Sequence, residues 1–169
     1  MSLYEQDGMR YVAKKDMPAF QKYFRKLQDN PKSLLRYYYR LRFSMEKRKL
    51  HIDLSYMTTV GGGLFFGHPV GITVSHYAKI GNNVNLHKGV TIGQENRGNR
   101  KGVPTIGNSV WIGINATVVG NITVGDDVLI APNTFVNCDV PSHSIVMGNP
   151  CIIKHCDNAT ASYIERKVE

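Results

Sequence analysis

Aliphatic residues recur along the middle of this chain at a period of six. Ile106, Ile112, Val118, Val124, Ile130 and Val136 fall in strict steps, and Gly107, Gly113, Gly125 and Ala131 directly follow four of them. Four places after each stands a second small or branched residue: Val110, Ala116, Ile122, Val128, Thr134 and Val140. Six is neither the period of a helix nor that of an isolated strand. It marks a unit of one short strand and one turn, with two inward side chains. The same phase runs back through Ile92, Leu86 and Ile80 and, after a two-residue slip around 74–79, through Ile72, Phe66, Val60 and Leu54. A unit this small cannot bury its apolar face alone, so successive coils must stack and their strands must pair in parallel. Three units close a triangular coil, which sets Ile106 over Val124 and Ile112 over Ile130 at about the 4.8 Å strand spacing. The predicted array spans 54–140, and Pro141 ends its regular units.

Ahead of the array the pattern turns helical. Met17, Phe20, Phe24 and Leu27 share one face of a helix predicted over 16–28, with Asp16 as N-cap. Asn30 and Pro31 open a second helix whose apolar stripe is Leu34, Tyr38, Leu41 and Met45. Charge changes the picture here. Residues 1–50 hold thirteen Lys and Arg against five Asp and Glu, whereas 51–169 hold eight of each, so the net charge of +8 belongs to the amino-terminal third. A basic amphipathic helix can lie on an anionic membrane face as a peripheral contact. It can also pack its apolar side on the first coil and cap an edge that would otherwise invite strand pairing, and this second account is preferred.

Between Ile92 and Ile106 the repeat is interrupted by Gly93–Thr105, a polar stretch carrying Arg97, Arg100 and Lys101. It is expected to bulge as a loop on the binding face. After the array, a short helix from Asp157 is predicted to form a cap. The expected organisation is a basic helical segment over 1–50, a solenoid domain over 51–155 and a tail over 156–169. No run is long enough for a membrane span and the start lacks the apolar core of a signal peptide, which predicts a cytoplasmic protein. Cys138, Cys151 and Cys156 are an odd count that argues against a disulfide framework, and they are read as inert. No nucleic-acid partner is expected.

The hexads, the extruded loop and the Gly148-Asn149-Pro150 exit resemble the hexapeptide-repeat acyltransferases, and the resemblance covers 53–154. Gly67-His68-Pro69-Val70-Gly71 and the stretch Leu86–Gly93 are most similar to serine acetyltransferases and to capsular and exopolysaccharide acetyltransferases. The fold class this implies is mainly β, a left-handed parallel β-helix solenoid with a short amino-terminal helical segment and a carboxy-terminal cap. The hand comes from the resemblance alone, since general crossover rules favour the opposite turn. The implied chemistry is acetyl transfer from acetyl-CoA to a hydroxyl. His68 matches the family's general base and Asp53, fifteen residues earlier, its orienting carboxylate. For the coenzyme, the resemblance implies a groove between neighbouring solenoids gripped at Gly113, Ile114, Ala131, Pro132 and Pro150, with Lys154, Arg97, Arg100 and Lys101 as phosphate cations. Trp111 flanks that column and either walls the site or packs between subunits. A homotrimer with shared sites is implied, and no metal.

The sequence also departs from the family. Serine-specific members carry an aspartate before the catalytic histidine and an Arg-His pair at the end of the loop, where this chain has Gly67, Gly102 and Val103. The expected acceptor is therefore a sugar hydroxyl on a polysaccharide precursor, with L-serine as the alternative. Outside this class stand a zinc site of His68, His76 and His87, as in β-helical carbonic anhydrases, and a glycan-binding solenoid without catalysis.

Overall fold

The structure is a computed structural model that describes all 169 residues. Its first fifty residues fold as helices α1 (Leu3–Met9), α2 (Ala19–Asp29) and α3 (Arg36–Lys49). The first coil follows with β1 (Thr59–Val60), β2 (Phe65–Gly67) and β3 (Thr73–Val74), and the second with β4 (Lys79–Ile80), β5 (Asn85–His87) and β6 (Thr91–Gly93). The third holds β7 (Thr105–Ile106), β8 (Val110–Ile112) and β9 (Thr117–Val119), and the fourth β10 (Thr123–Val124), β11 (Val128–Ile130) and β12 (Phe135–Val136). A partial fifth coil contributes β13 (Ser144–Met147), and β14 (Ile152–His155) turns back on it. The result is a parallel β-solenoid with three faces. The first face is β1-β4-β7-β10, the second β2-β5-β8-β11-β13-β14 and the third β3-β6-β9-β12, and only the β13–β14 pair is antiparallel.

The period of six is a statement about burial. Every in-phase residue from Leu54 to Val136 is 6% exposed or less, and the second series from Val110 to Val140 is likewise buried. Ile106 pairs with Val124 and Ile112 with Ile130, as the eighteen-residue spacing requires. The edge between the first and second faces is closed by a polar ladder. Asn82 Oδ1 accepts from Gly62 N, Asn108 Oδ1 from Asn82 N and Ser142 Oγ from Asp126 N, each at 2.9 Å, and Asp126 Oδ1 accepts from Asn108 N at 2.6 Å. Asn83, Ser109, Asp127 and His143 stand beside it at φ 52–58°, a left-handed conformation that short polar side chains tolerate. The regular array runs further than predicted. Val140 bridges to Val124 and β13 pairs in parallel with β11, so Pro141 marks a two-residue shortening of the fifth coil and not its end.

The helical segment differs more. The face Met17, Phe20, Phe24 and Leu27 is buried as predicted. Asp16, however, lies in a 3₁₀ turn ahead of α2, whose N-cap is Pro18. The predicted stripe of α3 does not pack. Leu34 is 98% exposed, Leu41 60%, Tyr38 49% and Met45 47%, whereas Phe43 on another side of the helix is buried. Phe43 sits 6.0 Å from the Phe24 ring and 6.5 Å from Tyr56, and the guanidinium groups of Arg36 and Arg40 cover Tyr56 at 5.5 and 5.6 Å. An aromatic knob thus takes the inward side, flanked by guanidinium groups stacked on Tyr56, and the aliphatic stripe turns outward. Helix α1, which the pattern did not predict, is closed by a capping box between Ser2 and Glu5. It supplies Asp7, which accepts from Arg25 Nε at 2.7 Å and from Leu64 N at 2.9 Å with neither side chain exposed.

The tail is not the predicted helix. Residues after Asp157 form successive turns, with Ala161 N donating to Asn158 O and Ile164 N to Thr160 O. They run back along the second face as a strap. Asp127 accepts from Ala159 N, Thr160 N and Thr160 Oγ1, Tyr163 O accepts from Asn85, and Val168 exchanges two hydrogen bonds with Asn83. No helix is long and apolar enough to cross a membrane.

Candidate active site

The edge between the second and third faces collects most of the predicted site. Its corners stack through Gly89 N to Val70 O at 2.9 Å, Asn115 N to Lys88 O at 3.0 Å, Asn133 N to Ile114 O at 2.9 Å and Phe135 N to Gly148 O at 3.2 Å. One edge of the prism therefore carries His68, then His87–Gly89, then Gly113–Asn115, then Ala131–Asn133, and last Gly148–Pro150. His68 is exposed and held at φ +54°, so the end of β2 aims it outward from the corner. Asp53 bridges to Thr73 at the start of the third face, and Leu50 O accepts from Gly71 N in the corner that follows His68. Its carboxylate is 81% exposed and lies 4.0 Å from Lys47 Nζ. A cleft of about 400 Å³ opens beside it, lined by Ser55, Thr73, Ser75, Tyr77 and Gln94 among others. Asp53 and His68 are not hydrogen-bonded to each other in this structure.

Gly113 and the Ala131–Pro132 pair lie directly above one another. A Cβ on Gly113 would stand 2.7 Å from Pro132 N and 2.8 Å from the Trp111 ring, so only glycine fits against the next coil. Pro150 follows a cis peptide at the top of the same edge. The loop cations are elsewhere. Glu95 and Gly102 close the loop by a two-way backbone bridge, and Arg100 O accepts from Asn121 N at 2.9 Å. This lays Arg97, Arg100 and Lys101 along the edge between the third and first faces, a face-width from His68. Lys154 stands on β14 opposite Ile145, on the second face.

Two features go beyond what the sequence shows. Cys138 and Cys151 are free thiols, as expected, with their Sγ atoms 3.7 Å apart. His87 has a place beside His68 that the zinc alternative does not describe. It is the register partner of Gly67, the residue before His68, and packs on Trp111 at 4.6 Å, which in turn meets Tyr163 at 5.0 Å. The two-residue slip around 74–79 hid this pair, because an eighteen-residue count sets Asn85 beside Gly67 and the true offset is twenty. Burial, and then the nearness of His68, pull the His87 imidazole below its ordinary value. His76 stacks on Tyr77 at another corner, and no group of three His, Cys, Asp or Glu side chains is close enough to hold a metal ion.

The bacterial transferase hexapeptide family (six repeats) matches residues 104–138. A serine acetyltransferase of Helicobacter pylori (strain ATCC 700392 / 26695) is 33% identical over 126 residues, 66% of this chain and 74% of that one. Serine acetyltransferases of Arabidopsis thaliana and of staphylococci are longer, and the chain spans 28–43% of them. Among solved structures, soybean serine acetyltransferase complexed with serine superposes with a TM-score of 0.72 and 25% identity, over 89% of this chain and 66% of that one. A serine acetyltransferase in complex with CoA gives 0.62 and 28%, over 80% and 54%. Stacked hexads on an unbroken three-faced core, and a third of positions shared across three-quarters of a bacterial relative, show that this chain belongs to the hexapeptide-repeat acyltransferase family, close to its serine acetyltransferases.

Proposed function

We propose that this protein is an acetyl-CoA-dependent O-acetyltransferase in which His68 is the general base. The observation that carries the reading is the single edge that holds both His68 and the small-residue column Gly113, Ala131 and Pro132. A thioester arm laid along that column ends at the imidazole. The acceptor hydroxyl gives its proton to His68 as its oxygen attacks the thioester carbon, and the imidazolium returns the proton to the departing thiolate. Asp53 holds the tautomer that leaves the attacking nitrogen free, and its contact with His68 tightens when substrate is bound. Arg97, Arg100, Lys101 and Lys154 are the cations proposed for the coenzyme's phosphates, and because the three loop cations lie a face-width from His68 in one chain, we assign them to a coenzyme held between this copy and its neighbour. Because His68 and Asp53 are open to solvent in the single chain, we assign their enclosure to a neighbouring copy in a homotrimer.

The relatives favour L-serine as acceptor, ahead of the sugar hydroxyl expected from sequence. One observation supports the sugar as a second reading: Gly67 is covered by the His87 ring, so no acidic side chain fits beside the base without moving it. His68→Ala is expected to lower acetyl transfer at least about a hundredfold, the low end for losing a general base, with coenzyme affinity little changed. Thiol release from acetyl-CoA with L-serine, nucleotide sugars and polysaccharide repeat units, ranked by kcat/KM, tests both parts. Near-normal turnover of His68→Ala overturns the base assignment, and the ranking decides the acceptor.

A further inference from the structure

One polar atom beside His68 has no partner. His87 Nε2 is buried and makes no hydrogen bond. Buried ring nitrogens ordinarily find a partner, so an orphan calls for an explanation. The ring itself is half-exposed and packed on its inner sides. It covers Gly67, where a Cβ would collide with it, and it is backed by Trp111 at 4.6 Å, itself backed by Tyr163 at 5.0 Å. The ring is also uncharged at neutral pH, since burial and then His68 hold its proton affinity down.

The geometry points to His87 as a specificity-determining residue that binds the acceptor: its Nε2 takes a hydrogen bond from an uncharged polar group of the substrate, next to the hydroxyl that His68 deprotonates. This rests on the acetyl-transfer reading above. The register of β2 and β5 places His87 beside Gly67 and therefore one residue from His68, so a substrate in reach of the base is in reach of this ring. The charged and titratable groups around it give no counter-charge for a cation. They are His68, the exposed Lys88, Tyr163 beyond Trp111, and Arg10, whose guanidinium is already held by Asn85 Oδ1 at 2.7 Å and by Gly63 O at 2.6 Å. A hydroxyl suits this wall because it can donate to the neutral nitrogen and accept from its surroundings. An ammonium there would face two imidazoles, and the nearby carboxylate, Asp53, is committed to His68 and stands 4.0 Å from Lys47 Nζ.

The test uses the full-length protein with His87→Leu and His87→Gln, compared with wild type on the acceptor that wild type uses best. Leucine removes the hydrogen bond and keeps the bulk over Gly67, and glutamine keeps both. His87→Leu is expected to raise the acceptor KM about tenfold, the loss of one hydrogen bond, while the acetyl-CoA KM stays within about twofold. His87→Gln should recover most of that loss, and thermal melts should show both variants folded. As a readout independent of turnover, the imidazole resonances of His87 should shift when that acceptor is added without acetyl-CoA. An acceptor KM unchanged in His87→Leu, equal losses in both variants, or unmoved resonances would overturn the assignment and leave the acetyl-transfer reading standing. Failure of wild type to release thiol with any acceptor overturns that reading and this one together.

Discussion

The solenoid and the helical segment before it are built on opposite terms. In the solenoid each inward residue repeats the environment of the one a coil below, and the charge is balanced at eight against eight. The helical segment has no repeat, carries the whole excess of positive charge, and leaves Leu34, Tyr38, Leu41 and Met45 in solvent. Its attachment joins one apolar face, with Phe20 on Phe66 at 4.9 Å, to a small set of buried polar contacts. Asp7 and Arg25 are the centre of them, with Arg25 donating to Val60 O at 2.9 Å and to Gly61 O at 2.5 Å at the mouth of the first coil. The comparison teaches that a stacked core distributes stability over many equivalent sites, whereas a one-off junction depends on a few contacts that nothing repeats, the buried ion pair foremost.

Breaking that junction should give the largest effect. Asp7→Ala leaves a buried guanidinium without its counter-charge, a loss of about 3–5 kcal/mol. Because Trp111 is the only tryptophan and sits in the solenoid, its fluorescence follows the solenoid while far-ultraviolet ellipticity follows the helices. In urea, the helical signal of Asp7→Ala is expected to be lost before the Trp111 signal. Coincident transitions shifted by less than about 1 kcal/mol would mean the pair is not what joins the two regions.

Ile112→Ala tests the other side at a similar or smaller cost. Ile112 is fully buried between Leu86 and Ile130, so truncation leaves a cavity worth about 2–5 kcal/mol. Here the expected loss appears in the Trp111 transition and leaves the helical signal to follow it. An earlier loss of the helices alone would show that the coils do not share their stability.

The same contrast explains what was legible in the sequence. Period, strand direction and the pairing of Ile112 with Ile130 could be read because each unit repeats its neighbour's solution. The placement of the proposed site residues was legible where it follows that lattice, as with Gly113 against the Ala131–Pro132 pair, whereas a motif, not the lattice, singles out His68 for the proposal. That placement was hidden wherever a local accident decides the geometry. The slip near residue 76 moved His87 over Gly67, and the loop path carried Arg97 and Arg100 to a neighbouring edge. In α3, several sides bear hydrophobic or aromatic residues, so spacing alone could not tell which would be turned inward. The packing of Phe43 with Phe24 decided it.

A third prediction concerns pH. The unfolded chain protonates His87 at about 6.5, and the folded chain only at a lower pH because burial and His68 disfavour the charge. Between those values the unfolded state binds more protons, so stability should hold steady above pH 6.5 and fall as the pH drops below it. His87→Gln removes this component, and the gap between variant and wild type, followed by urea midpoints from pH 7.5 down to about 5, should change in the variant's favour. A gap that does not change with pH would mean that His87 titrates alike in both states.

The smallest effect belongs to the outward side of α3. Leu41 is 60% exposed and Phe43, two residues on, is 4% exposed, so the helix offers its own internal control. Leu41→Glu removes no buried contact and lowers the positive charge of a segment that has eight cations in excess, so stability should stay within about 0.5 kcal/mol of wild type. Phe43→Ala should cost about 3–5 kcal/mol, because it empties the space shared with Phe24 and Tyr56. The measurement is the urea midpoint of the helical signal at a single low protein concentration. If Leu41→Glu proved as costly as Phe43→Ala, the aliphatic stripe would be covered in the protein as it exists in solution. The helical segment would then owe its stability to a contact that the single chain does not contain, and the contrast with the self-sufficient solenoid would be sharper still.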